Sequence, residues 1–198
     1  MKIEDQHQNQ AGRPRSDKAR ASILNSVLML IDKESPKDIT IKLIAEKANV
    51  GRQTIYRWWN NRGEIILEAL LELSASKIIN INTTDTEKNV TSFVKDTVSQ
   101  ANVVKKALAV IMTDAQLEDE FMDKFRLEFI KVRREAFLDI FTADERYRNM
   151  NKADRTFLCD LFFGPLWYRV LIRHAPLNNQ FSEQLSDLIV TWLKNQYG

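Results

Sequence analysis

Cysteine, glycine and proline are scarce in this chain, and each scarcity narrows its structural class. The 198 residues include one Cys, five Gly and four Pro. The single thiol, Cys159, cannot form an internal disulfide, which favours a reducing compartment such as the cytoplasm. We expect it to be inert packing in an apolar helix. Because chain breakers are few and no strand-like alternation is visible, we predict an all-α fold of about nine helices.

Long apolar runs and catalytic motifs are missing as well. No hydrophobic stretch approaches the roughly 20 residues needed to cross a bilayer, and the polar N-terminus lacks a secretory signal, so we expect no membrane partner. The two histidines, His7 and His174, lie far apart in the sequence. No HExxH, CxxC, GxSxG or glycine-rich phosphate loop occurs. We therefore predict that the chain is not an enzyme and needs no metal or cofactor.

Charge and aromatic residues are divided between the two ends of the chain. Residues 1–63 hold 12 Lys or Arg against 7 Asp or Glu, whereas the remaining residues hold 17 against 20. All ten Phe lie after residue 90. This division predicts a domain at 13–80 suited to a polyanion and an aromatic-rich domain at 81–198. The polar residues 1–12 are expected to form a disordered tail.

The most informative stretch is 40–62, TIKLIAEKANVGRQTIYRWWNNR. Thr40 is a suitable N-cap for a first helix whose apolar residues recur at helical spacing. Asn49 tolerates the positive φ of a sharp turn, and a short basic helix follows over 52–59. Two helices joined by a tight turn, with the second polar and basic, are typical of a DNA-reading helix-turn-helix.

An ordinary solvated helical hairpin is the alternative, and the charge pattern argues against it. The segment contains four bases and no acid between Lys47 and Arg62, whereas a solvated face usually mixes both signs. Tyr56, Trp58 and Trp59 lie among these bases. We therefore favour DNA binding.

The same stretch resembles the TetR family of bacterial transcriptional regulators. The matching residues are Thr40, Ile44, Ala45, Ala48, Asn49, Val50, Thr54, Ile55, Tyr56, Trp59, Arg62 and Ile65. With the preceding helix, the resemblance covers about residues 14–72. Asn49 stands where the family usually has Gly, Gly51 where it often has a Ser N-cap, and Trp59 where it usually has Phe. The first two changes are mild, because Asn adopts left-handed geometry and Gly is an acceptable N-cap.

The resemblance implies a three-helix DNA-binding domain followed by a helical domain for dimerisation and effector binding. Such a regulator is usually a repressor that binds a palindromic operator in duplex DNA as a homodimer and responds to a small molecule. The residues expected at the DNA are Arg15 in a basic arm before the first helix, Thr40, Lys42, Arg52, Gln53, Thr54, Tyr56, Arg57, Trp58 and Arg62. Arg pairs with guanine and Gln with adenine, so Arg52, Gln53 and Arg57 are expected to specify the sequence. An architectural DNA-binding protein without an effector is the alternative.

Further helices are predicted over about 87–112, 115–119, 121–141, 154–174 and 181–196. The fourth of these is apolar on every side and must be covered on every side. A partner subunit is therefore expected over the last two helices, although both could be wholly internal. The predicted dimer interface comprises Phe157, Leu161, Gly164, Tyr168, Leu185, Leu188, Ile189 and Trp192.

Aromatic residues crowd the second domain and predict a pocket for a hydrophobic or aromatic effector. The predicted pocket residues are Phe93, Phe121, Phe125, Phe129, Phe162, Trp167, Tyr168 and His174, with Arg169 as a further polar group. Phe121, Phe125, Phe129 and Val132 are expected to share one helix face. Core packing is the alternative for each aromatic residue.

Overall fold

The structure, a computed structural model, describes residues 13–35, 37–75 and 83–198, and every regular element in those ranges is a helix. This confirms the predicted all-α fold. The chain divides into two compact units, Met1–Leu70 and Leu71–Gly198. The predicted tail at 1–12 and the predicted boundary at 80–81 lie outside the described residues. Within those residues, no helix combines the length and the apolar character of a membrane span.

The first unit contains four helices around one core. They are α1 (Arg13–Lys33), α2 (Ile41–Ala48), α3 (Arg52–Tyr56) and the greater part of α4 (Arg62–Ala75). The basic arm predicted before the first helix is wrong, because Arg13 already begins α1 and Arg15 lies in its first turn. The core comprises Ile23, Leu24, Val27, Leu30, Ile31, Ile39, Ile44, Ala45, Ala48, Ile55, Trp59, Ile65, Ile66, Leu67, Ala69 and Leu70.

The second unit begins with one long helix. Its elements are α5 (Thr86–Ala115), α6 (Asp119–Phe125), a π-helical segment (Arg126–Lys131), α7 (Val132–Asp139), α8 (Lys152–Ile172) and α9 (Asn179–Tyr197). Because α5 continues to Ala115, the separate short helix predicted at 115–119 is wrong. Asp85 caps α5 by accepting hydrogen bonds from the N–H groups of Glu87 and Lys88.

A stripe of phenylalanines spaced four residues apart forms one wall of the second core. The stripe consists of Phe121, Phe125, Phe129, Phe137 and Phe141, all buried. Positions four apart drift by about 40° per step around an α-helix of 3.6 residues per turn. A π-helical turn takes more residues and drifts the other way, so the π-helical segment keeps the stripe turned inward. Val132, predicted to extend the stripe, is instead 53% exposed, and Arg133 stands at the four-residue position.

Candidate nucleic-acid interface

The turn between α2 and α3 holds the two helices in the geometry predicted from the sequence. The hydroxyl of Thr40 accepts a hydrogen bond from the N–H of Leu43 at 3.2 Å and caps α2. Asn49 ends α2 in the left-handed region, with φ 53° and ψ 48°. Its N–H donates to the carbonyl of Glu46 at 3.1 Å. Asn49 thus supplies the backbone conformation that a glycine would otherwise be needed for.

Gly51 occupies the N-cap of α3 and provides no side-chain hydrogen bond. Its φ of −73° is ordinary for any residue, and a Cβ placed on it would meet no atom within 4 Å. A larger residue would therefore fit at position 51 without a steric clash.

The polar residues of α3 face solvent. Arg52, Gln53 and Arg57 are exposed, as is Lys42 on α2, while Ile55 is buried. Within the part of the chain that the structure describes, none of the three bases forms an ion pair. Tyr56 is 51% exposed. This surface therefore carries positive charge that no carboxylate among residues 13–35, 37–75 and 83–198 neutralises.

The other residues expected at the DNA are less open. Thr54 and Trp58 are half-buried, and the side chain of Arg15 lies outside the described residues. Arg62 is half-buried, and its guanidinium donates to the carbonyl of Ile39 at 2.7 Å. Arg62 thereby ties the chain before α2 to the start of α4, so it has a structural role whether or not it also contacts phosphate.

Glu68 was not among the residues predicted from the sequence, although it links helices α1 and α4 to Trp59, in the segment that follows α3. Trp59 is 1% exposed, and its indole N–H donates to the Glu68 carboxylate. The other carboxylate oxygen accepts from Arg20 on α1. The spacing in the sequence could have indicated this role. Glu68 follows the buried Ile65 by three residues and so lies toward the same face of α4.

The residues predicted to line a pocket form two groups in the second unit. Phe93 and Phe162 are buried in the core, where their ring centroids lie 5.8 Å apart. Phe121, Phe125 and Phe129 are also buried. Tyr168, by contrast, is 58% exposed and packs on His174 with a centroid distance of 4.6 Å.

A cavity of about 330 Å³ lies at a different place in the second unit, between α5 and the start of α9. Its lining is mainly polar and consists of Lys95, Val98, Ser99, Asn102, Leu177, Asn178, Asn179 and Ser182. None of these residues was predicted from the sequence. Effector binding by the predicted aromatic residues therefore stays a prediction.

Helix α8 was predicted to be apolar on every side, and it carries apolar residues on an inner and an outer face. The inner face includes Leu158, Phe162 and Cys159; burial raises the pKa of the Cys159 thiol, which keeps it in its unreactive form. On the outer face, Phe157 and Ile172 are 50% and 59% exposed.

The remaining predicted interface residues divide between the outside and the inside of the subunit. Leu188 on α9 is 49% exposed. Trp192 packs on Phe157 with ring centroids 5.5 Å apart. Leu161 is half-buried and Gly164 is exposed. Leu185 and Ile189 are 3% and 0% exposed, so they pack within their own subunit and we leave them out of the proposed interface.

Comparison with known proteins identifies the family. A model of the tetracyclin repressor-like C-terminal domain matches residues 81–189. This chain belongs to the TetR family of transcriptional regulators. The family resemblance noted at residues 14–72 is thereby confirmed, by a match to a different part of the chain. The protein is a transcriptional regulator and not an enzyme.

Individual proteins are similar to this chain over most of its length. It is 24% identical to the uncharacterized HTH-type transcriptional regulator YdeS of Bacillus subtilis (strain 168) over 183 residues, which are 90% of this chain and 91% of YdeS. The crystal structure of the TetR family regulator SCO0332 has a TM-score of 0.67 at 20% identity and covers 89% of this chain and 97% of its own.

A further solved structure is that of the regulator FadR from Bacillus subtilis in complex with stearoyl-CoA. Its TM-score is 0.63 at 16% identity, and the match covers 86% of this chain and 97% of FadR. Identities this low establish a common fold and nothing about shared ligands.

Proposed function

We propose that this TetR-family regulator is a repressor that binds a palindromic operator as a homodimer and is released by a small molecule. The observation that carries the proposal is the set of exposed, unneutralised polar residues on α3. Arg52 and Arg57 offer planar guanidinium groups suited to guanine, and Gln53 offers an amide suited to adenine. Because no carboxylate of the described residues holds these bases, DNA binding breaks no ion pair among them. The proposal also places the protein in the cytoplasm, where the operator is.

The proposed homodimer rests on the outer face of α8 and α9. Phe157, Tyr168, Ile172 and Leu188 lie on these two helices and are all at least 49% exposed. The proposal takes them as one apolar contact surface. A two-fold interface places the same face of each subunit against its copy. Two reading heads about 34–36 Å apart would then match successive turns of the major groove.

The proposed release is a population shift between two conformers of the dimer. An effector bound in the second unit can displace the operator only through its different affinity for the two conformers. By linkage, operator DNA must weaken effector binding by the same factor. A change in the separation of the two heads is sufficient, because groove spacing is fixed by the DNA.

The direct test is selection of bound duplexes from a random-sequence pool with the full-length chain, followed by fluorescence anisotropy at one salt concentration. We expect a palindromic consensus and two chains per site. Arg57→Ala should lose preference at one base pair per half-site. The matched control is Arg126→Ala, which removes an exposed arginine of the second unit and should leave the preference intact. Binding without any enriched sequence would instead support the architectural alternative.

A further inference from the structure

Arg133 interrupts the buried phenylalanine stripe of the second unit. From residue 121 to residue 141, every fourth residue is Phe except residue 133, which is Arg. The flanking members, Phe129 and Phe137, are 5% and 0% exposed. A charged side chain at such a position is costly unless another group compensates its charge. The π-helical segment directly before it keeps this register, and such turns are frequent at functional sites.

The guanidinium of Arg133 has no carboxylate partner within the described residues. It lies 3.4 Å from the centroid of the Phe129 ring, and its hydrogen bond goes to the main-chain carbonyl of the same residue at 3.4 Å. The hydrogen bond is long and therefore weak, whereas the guanidinium lies within the range of cation–π attraction to the ring. Neither contact supplies a negative counter-charge. Desolvation lowers the pKa of Arg133 to about 10, so the group stays protonated and keeps its charge at neutral pH.

Two acids near Arg133 are engaged by other bases. Asp160 on α8 accepts from Arg134 at 2.8 Å, and Glu135 lies 3.9 Å from Lys131. Arg134 therefore has the counter-charge that Arg133 lacks. The two adjacent residues have the same side chain, but only Arg134 has a carboxylate partner among the described residues. Arg134 is therefore a matched control.

We propose that Arg133 is the anion-recognition residue of the effector site, and that the effector carries a carboxylate or phosphate group attached to an apolar or aromatic body. This rests on the proposed function, because it names the chemistry of the effector in that proposal. A guanidinium fork pairs with either anion through two parallel hydrogen bonds. Arg133 is half-buried and not sealed in, so an anion can reach it from the surface.

The apolar part of the effector follows from the side chains beside Arg133. Phe129 stacks on Phe125 with ring centroids 5.3 Å apart. Phe125 in turn meets the half-buried Trp167 of α8 edge-on at 6.1 Å. Phe125 and Phe129 are 1% and 5% exposed, so a ligand whose anion binds Arg133 reaches these rings only by displacing part of the core. A hydrocarbon or aromatic body suits such surroundings better than a sugar or a peptide.

The test uses the full-length chain and three ligands of equal length, namely decanoate, decyl phosphate and decanol, titrated by calorimetry below their aggregation limits. Wild type should bind at least one anion about tenfold more tightly than decanol, and the two anions separate a carboxylate from a phosphate requirement. Arg133→Met should lose the preference for the anion, and Arg134→Met should keep it. Wild type without this preference, or Arg133→Met that retains it, would overturn the proposal.

The stability of the ligand-free protein gives an independent measurement. Because an unpaired, partly buried cation is unfavourable, Arg133→Met should melt at or above the wild-type Tm. Arg134→Met, which loses its partner Asp160, should melt at or below it. A marked drop in Tm for Arg133→Met would show a structural role and overturn the inference. Dissociation of a ligand-free dimer by Arg133→Met would overturn it too, because a carboxylate of a second copy would then be the counter-charge.

Operator affinity measured with the same ligands separates this inference from the proposed function. If the anions bind through Arg133 but leave operator affinity unchanged, Arg133 remains an anion-recognition residue and the proposed switch fails. If decanol and decanoate release the operator equally and Arg133→Met responds like wild type, the switch stands and the role of Arg133 fails.

Discussion

The indole N–H of Trp59 donates to the carboxylate of Glu68, and the same carboxylate pairs with Arg20. Trp59 follows α3, Glu68 lies on α4 and Arg20 on α1, so one carboxylate connects three parts of the first unit. A phenylalanine at position 59 could fill the space but could not donate a hydrogen bond. The Trp59 ring therefore fills the core, and its hydrogen bond fixes the orientation of the segment that follows α3.

Replacing this tryptophan tests the connection. Trp59→Phe should destabilise the fold by about 1–3 kcal/mol, because it removes a hydrogen bond to a charged, partly buried acceptor. Urea denaturation followed by circular dichroism measures the change. Trp58→Phe is the control, since Trp58 is half-buried and its indole has no hydrogen bond within the described residues. Equal losses for the two variants would contradict the prediction.

Arg57 and Arg62 should separate DNA reading from fold stability. Arg57→Ala should weaken binding to the selected operator by about 1–3 kcal/mol and leave Tm unchanged, because the exposed Arg57 side chain forms no hydrogen bond or ion pair with another described residue. Arg62→Ala should lower Tm, because its hydrogen bond to the Ile39 carbonyl is lost. Anisotropy and thermal melting of both variants provide the comparison. Loss of Tm in Arg57→Ala with none in Arg62→Ala would reverse the assignment.

Two leucines on α9 test the proposed dimer surface. Leu188 is 49% exposed and Leu185 is 3% exposed. Leu188→Glu should therefore give a folded monomer, because the charge is buried only in the dimer. Leu185→Glu should unfold the second unit, because the charge is buried in the subunit itself. Sedimentation analysis and circular dichroism distinguish the outcomes, and a Leu188→Glu variant that remains dimeric would exclude this surface.

Asp144 should make stability depend on pH in the acid range. Its carboxylate accepts from the guanidinium of Arg146 at 2.8 Å and from the hydroxyl of Thr86 at 2.8 Å. The hydrogen bond from Arg146, followed by that from Thr86, holds the pKa of Asp144 well below its ordinary value. A carboxyl whose pKa is lower in the folded state stabilises the fold above its unfolded pKa of about 3.9, and loses this contribution as pH falls toward the folded pKa.

Asp144→Asn measures this contribution. The variant should lose about 1–2 kcal/mol of unfolding free energy at neutral pH, and its difference from wild type should narrow below about pH 4. Glu145→Gln is the control, because the Glu145 side chain is 84% exposed and should change stability little at any pH. A difference for Asp144→Asn that stays constant down to about pH 3 would contradict the mechanism.

Local interactions made the DNA-reading unit predictable. The cap formed by Thr40, the left-handed turn at Asn49 and the apolar spacing of α2 all act within one or two helical turns. The structure confirms both the cap and the turn. Helix ends predicted from the same signals were less accurate where the signals were weak, as at the start of α1 and the end of α5, because polar residues there are compatible with either a turn or a continuing helix.

Longer-range packing decided what the sequence left open. Leu185 and Leu188 are the same residue type at helical spacing, so the sequence pattern does not distinguish them. Only the packing of α9 in the second core buries Leu185 and exposes Leu188. Likewise, Arg133 is inward because the phenylalanines around it share one core, which requires the π-helical register. The sequence by itself determined the helices, the division of charge and the reading unit, since these depend on neighbours along the chain. Only the tertiary structure decided which apolar face is covered and which charge lacks a partner, because burial depends on residues distant in sequence.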